Sequence, residues 1–170
     1  VIAGSPAVRL QFVTEPGLGA WLIRWYGGLH LFSHVDAVLP DGRLLGARSD
    51  CVGGQPPGVQ IRPPGYLKFS RVAAVQLPCT QAQREAYYQA LTSQLGKPYS
   101  EEAILGFALG RDLKDRRGRF CSGLQLWALG KSRVLSRNVA EYADVATPDD
   151  LYLVVRAVAD DRRAKASGAS

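Results

Sequence analysis

Apolar and polar positions alternate from Val8 to Thr14, which predicts a first strand closed by Glu15-Pro16-Gly17. Trp21, Leu22, Trp25 and Tyr26 then fall at helical spacing. A short helix stopped at Gly27-Gly28 fits them better than a strand, although the aromatic content suits both. Leu31 to Leu39 is a second strand-like run, and the turn Pro40-Asp41-Gly42 returns the chain into Arg43 to Ala47 as a tight hairpin. Gly- and Pro-rich loops between Cys51 and Gly65 bracket a short strand at Val59 to Arg62. Arg71 to Leu77 reads as a further strand ended by Pro78.

The second half changes period. Thr80 caps a helix from Gln81 to Leu95, with Ala82, Ala86, Tyr87, Ala90 and Leu91 on one face and Gly96 as its stop. Ser100 caps another, whose Glu101 and Glu102 suit the positive end of the helix dipole better than acid/base work. A helix also starts at Cys121, where Leu124, Trp127 and Ala128 continue one apolar stripe. Asn138 to Val145 predicts a short helix. Thr147-Pro148-Asp149-Asp150 has the form of a helix start. The Val-Val and Tyr content of Leu151 to Val158 predicts a closing strand, and Asp160 to Ser170 a frayed tail. The expectation is one α+β domain over 1–159, with 160–170 as the tail.

Chemistry enters at Cys121. A thiol at a helix N-terminus meets unpaired N–H groups that favour the thiolate. Such a nucleophile needs a base, and the chain has two histidines, His30 and His34, of which His34 lies on a strand. With Leu39 opposite Arg43 in the hairpin, His34 falls opposite Arg48 and Asp36 opposite Gly46. His34 and Asp36 then share a face, with Asp50 diagonal to the imidazole. Asp36 and Asp50 are therefore both candidates for the third residue that fixes the imidazole. Taken singly, a buried cysteine and a strand histidine are ordinary structural residues. Their pairing carries the reading.

Composition narrows the partners and leaves the compartment open. A chain of 170 residues with 46% hydrophobic content can bury one sizeable core. No apolar run spans a membrane and no signal peptide is visible. There is no Met, initiator included, so the numbering is compatible with a start after a removed segment. The net charge of +6 is concentrated at Arg111, Lys114, Arg116, Arg117 and Arg119. That 111–119 loop suits an anionic polymer or a membrane surface. Three cysteines form no closed disulfide framework, leaving a Cys51–Cys79 pair open. No pair has zinc spacing, and neither metal nor cofactor is expected.

The order Ser33-His34-Val35, Pro40-Asp41-Gly42, Lys97-Pro98-Tyr99-Ser100, Phe120-Cys121-Ser122 and Thr147-Pro148-Asp149-Asp150-Leu151 resembles the circularly permuted NlpC/P60 superfamily. The likeness is to its papain-like amidases of the YaeF/YiiX type, in which the His precedes the Cys, and it runs from about residue 30 to 155. It implies a papain-like core, an antiparallel sheet or small barrel packed against helices that include the Cys-bearing one. It also implies that a Cys121 nucleophile and a His34 base act on an acyl carbonyl, either in cell-wall peptide or in lipid acyl groups. Two positions depart from the pattern. The family's third polar residue falls at Gly46, and the acidic residue that often follows Cys-Ser is Gly123.

The expected activity is a cysteine-dependent amidase or peptidase-type hydrolase. A lipid acyl hydrolase or acyltransferase on the same core is the rival reading. A catalytically silent polyanion-binding module ranks last. Nucleic acid is a poor candidate, since no helix-turn-helix and no aromatic-basic stacking motif is present.

Overall fold

The structure is a computed structural model and describes residues 5–14, 31–98 and 121–168. Five strands, β1 (Ala7–Thr14), β2 (His34–Val38), β3 (Leu44–Arg48), β4 (Gly58–Arg62) and β5 (Arg71–Pro78), form one antiparallel sheet in the order β4-β3-β2-β1-β5. The described helices are α1 (Gln81–Thr92), α2 (Cys121–Lys131), α3 (Arg137–Ala140) and α4 (Pro148–Ala166), with a 3-10 turn at Glu141–Asp144. The class is α+β, with an open sheet whose edge strands are β4 and β5. The expected helix over Gly19–Tyr26, the Ser100-capped helix, His30, Tyr99 and the 111–119 loop lie outside the described residues.

The hairpin forms in the register expected from its turn. Leu39 N–H donates to Arg43 C=O at 2.8 Å, and Gly42 turns the chain with a left-handed φ of +86° that a side chain would resist. Ala37 pairs with Leu45 and Val38 with Leu44. Along β2, Val35 and Ala37 stand beside Phe12 and Leu10 of β1 and enter the apolar core. His34 and Asp36 take the alternate positions, and β2 is buried on both faces.

Helix α2 is enclosed nearly all round. Cys121, Leu124 and Ala128 are buried as the stripe predicts, but so are Ser122, Gly123, Gln125, Leu126 and Leu129, while Trp127 is only partly covered. It packs on β2, β3 and α1. Its polar residues are anchored individually. Gln125 donates from Nε2 to Leu45 C=O at 3.0 Å and accepts from Tyr87 of α1, and Ser122 donates to Ala146 C=O at 2.6 Å. Helix α1 opens on a capping box, Thr80 with Gln83.

Two expectations at the C-terminus are corrected. Leu151 to Val158 is not a strand but the centre of α4, and 160–166 is not frayed but its last turns. A capping box between Thr147 and Asp150, with Pro148 behind it, commits the chain to a helix. Leu151, Val155 and Ala159 then recur every fourth residue on the buried face, which overrides the β-propensity of the valines. The charged end is tied down. Arg162 donates to Pro78 C=O and Val134 C=O at 2.6 and 2.7 Å, and Arg163 to Gln76 C=O at 2.8 Å. Among the described residues no helix is long and apolar enough to cross a membrane.

Candidate active site

The sequence separates His34 and Cys121 by half the chain, and the fold brings them together. Strand β2 supplies the imidazole and the first residue of α2 supplies the thiol, and the two side chains are close enough for Cys121 to help raise the His34 pKa. His34 and Cys121 are 5% and 6% exposed. The approach to β2 is fixed from α4, where the Asp149 carboxylate accepts from Leu31 N–H at 2.7 Å and Phe32 N–H at 2.9 Å. Phe32 also packs against Phe12 and Tyr152, with ring centroids 5.7 and 4.8 Å away.

Asp36 engages the imidazole directly. Its Oδ1 lies 2.9 Å from His34 Nε2, and with Nε2 so occupied the nitrogen left for Cys121 is Nδ1. Gly46 makes this possible. A Cβ there would lie 1.9 Å from Asp36 Oδ1, so the carboxylate fills the space a side chain at position 46 would take. Asp50, the alternative, pairs instead with Arg48, its oxygens 2.7 and 2.8 Å from Nε and Nη2, and makes no hydrogen bond to His34.

Sequence reasoning missed Tyr66 and did not use Arg48. Tyr66 donates to Asp36 Oδ2 at 2.9 Å and accepts from Arg48 Nη1 at 3.1 Å. The hairpin register had already placed Arg48 opposite His34. Tyr66 lies in the loop after β4, where no local pattern marks it. Arg62, 1% exposed, donates to Gly46 C=O and Pro56 C=O at 3.3 Å each.

The electrostatics follow from this enclosure. Burial works against a charged His34, but the Asp36 carboxylate outweighs it, and with the Cys121 hydrogen bond pushes the pKa up to about 10. Asp36 is the reverse case. Burial would raise its pKa, and His34, the Tyr66 hydroxyl and Arg48 together hold it below the usual carboxylate range. Burial and the neighbouring carboxylate push the Tyr66 phenol up, so it stays a neutral donor. Such opposed shifts within one buried cluster are characteristic of sites that move protons.

Cys51 is exposed, Cys79 is half-buried, and both are free thiols, so the pairing left open for them does not form. Burial raises the Cys79 pKa, which leaves it a weak nucleophile. Among the described residues no cluster of His, Cys, Asp or Glu could hold a metal ion. No family model matches the chain, and no curated protein or solved structure matches it.

Proposed function

We propose that the protein is a cysteine-dependent hydrolase of the amidase or peptidase type, built on a permuted papain-like core of the NlpC/P60 kind. The observation that carries this reading is the grouping of Cys121, His34 and Asp36, with the carboxylate on imidazole Nε2 and the thiol close enough to raise the imidazole pKa. His34 holds the proton taken from Cys121, forming the thiolate–imidazolium pair that its raised pKa favours, and the thiolate attacks the carbonyl carbon of an acyl group. Backbone N–H groups at the start of α2 stabilise the oxyanion in this mechanism. His34 returns the proton to the departing amine, leaving an acyl-thioester. Water, deprotonated by His34, then releases the acid and restores the thiol.

The substrate class follows from the resemblance: a peptide amide, with cell-wall peptide first and a lipid acyl group as the rival. Both share every step up to the thioester. A lipid hydrolase or acyltransferase differs in what takes the acyl group second, so product analysis with peptide and lipid acyl donors separates them.

The test is intact mass after limiting iodoacetamide at neutral pH. Cys121 is expected to label ahead of Cys51 and Cys79, and His34→Ala to slow that labelling by orders of magnitude, as loss of a base from such a pair does. Equal, slow labelling of all three thiols in both chains would refute the reading and leave the polyanion-binding module in its place.

A further inference from the structure

The face of β2 that bears His34 and Asp36 also carries polar side chains for which the proposed chemistry has no direct use. They form a continuous run. The half-exposed Asp50 accepts two hydrogen bonds from Arg48, whose third donates to Tyr66, whose hydroxyl donates to Asp36, whose other oxygen meets His34. A guanidinium has donors only, so the direction of every bond is set from the Arg48 end. Tyr66 accepts from Arg48, and its single proton goes to Asp36. Both oxygens of Asp36 then act as acceptors. His34 Nε2 must carry a proton, and in the neutral ring Nδ1 keeps its lone pair for Cys121.

We infer that Arg48 and Tyr66 are positioning residues that hold the Asp36 carboxylate and, through it, select the His34 tautomer able to receive the Cys121 proton. This rests on the hydrolase reading and deepens it. The Tyr66 ring is held for the task, with the Arg48 and Arg62 guanidinium carbons 5.3 and 5.9 Å from its centroid and Phe69 edge-on at 5.5 Å. The other described groups facing the His34–Asp36 pair have partners of their own. From α1, Tyr87 gives its proton to Gln125, and from β4, Arg62 is bound to Gly46 C=O. Cys121 of α2 faces the imidazole itself.

The test follows the imidazole rather than a reaction: NMR titration of His34 in the full chain, with His30→Gln to tell the two histidine signals apart. Tyr66→Phe is expected to lower the midpoint by about half to one pH unit, because an unanchored buried carboxylate turns away from Nε2. Asp36→Asn should lower it by about one unit or more. The double variant should match Asp36→Asn alone, since Tyr66 acts only through Asp36. Arg48→Lys, which keeps the positive charge but loses the fork that reaches Tyr66 and Asp50 together, should move the midpoint in the same direction as Tyr66→Phe and serves if that variant does not fold. An unchanged or raised midpoint in a folded Tyr66→Phe or Arg48→Lys chain overturns the inference, as does an additive double variant. Slow labelling of Cys121 alongside the expected titrations would remove the hydrolase reading and leave this network intact.

Discussion

Gly46→Ala is the smallest change that tests the arrangement, because it adds one methyl group and removes nothing. The added Cβ would lie 1.9 Å from Asp36 Oδ1 and 3.0 Å from its Cγ. Cβ atoms essentially never approach within 3.0 Å, so something must move by at least 3.0 − 1.9 = 1.1 Å. The strand is poorly placed to yield. Gly46 is paired with Gln60 of β4, and its carbonyl is held by the buried Arg62. The carboxylate therefore moves, and a shift of that size breaks its 2.9 Å contacts to His34 and Tyr66. Overpacking of this kind costs about 1–3 kcal/mol, and losing a hydrogen bond between charged groups about 1.5–3 kcal/mol. Together these are about 2.5–6 kcal/mol, or a fall in Tm of about 5–24 °C for a chain of this size. Thermal unfolding and Cys121 alkylation are the assays. The expected result is a large loss in both, with labelling slowed about tenfold or more. Gly46→Ala/Asp36→Ala should regain stability, because the collision is gone, but not reactivity. A Gly46→Ala chain that melts within about 2 °C of the native one and labels at the native rate would refute the placement of Asp36.

The pair also predicts a pH dependence of stability. His34 titrates near 6.5 when unfolded and about 10 when folded, so its contribution is complete below pH 6.5 and is lost as pH rises through 10. Asp36 is depressed from 3.8, so its contribution is present above that value and is lost as pH falls through the folded pKa. The Tm difference between the native chain and Asp36→Asn should therefore be largest near pH 5–6.5, at about 6–12 °C for a broken buried pair worth about 3 kcal/mol, and should shrink towards pH 10. A difference that grows with pH would contradict it. Gln125→Leu strands the Leu45 carbonyl and the Tyr87 hydroxyl without partners and should cost about 2–4 kcal/mol in urea unfolding; a neutral change would mean that α2 is not anchored there. Asp149→Ala frees the Leu31 and Phe32 N–H groups and should cost about 1–2 kcal/mol, with Cys121 labelling slowed as the approach to β2 loosens.

Local chemistry made much of the fold legible. A turn residue in a left-handed conformation at Gly42 set the hairpin register, and a cap at Thr80 fixed the start of α1, which ends at Thr92, short of the stop expected at Gly96. The miss at Leu151–Val158 came from weighing β-branched residues above the capping box that precedes them. Three positions at spacing four need a nearby apolar surface before they outweigh propensity, and that surface, β5, lies far away in the sequence. The tail was misread for a related reason. Arg162 and Arg163 look like solvated charges until the carbonyls of Gln76, Pro78 and Val134 are set beside them.

The site divides along the same line. The His34–Asp36 relation spans two residues of one strand, and hairpin register sets Gly46 opposite Asp36, so both could be read from local pattern. Tyr66 and Arg62 could not, because they reach the pair from a loop and an outer strand whose sequences carry no sign of it. Arg62, together with Arg48, adds charge balance. Beside His34, the described charges of Asp36 and Asp50 are offset by those of Arg48 and Arg62, two of each sign. A proton on the imidazole leaves such a group one charge positive, and a thiolate at Cys121 returns it to neutral. In a nearly solvent-free setting unbalanced charge is strongly disfavoured. Transfer of the Cys121 proton to His34 moves charge within the enclosure without changing its total, and both halves of the resulting ion pair keep a partner. The buried arginines thus matter to the proposed chemistry without touching a substrate, and a strand whose two faces are both covered holds a carboxylate and an imidazole beside the thiol that α2 presents.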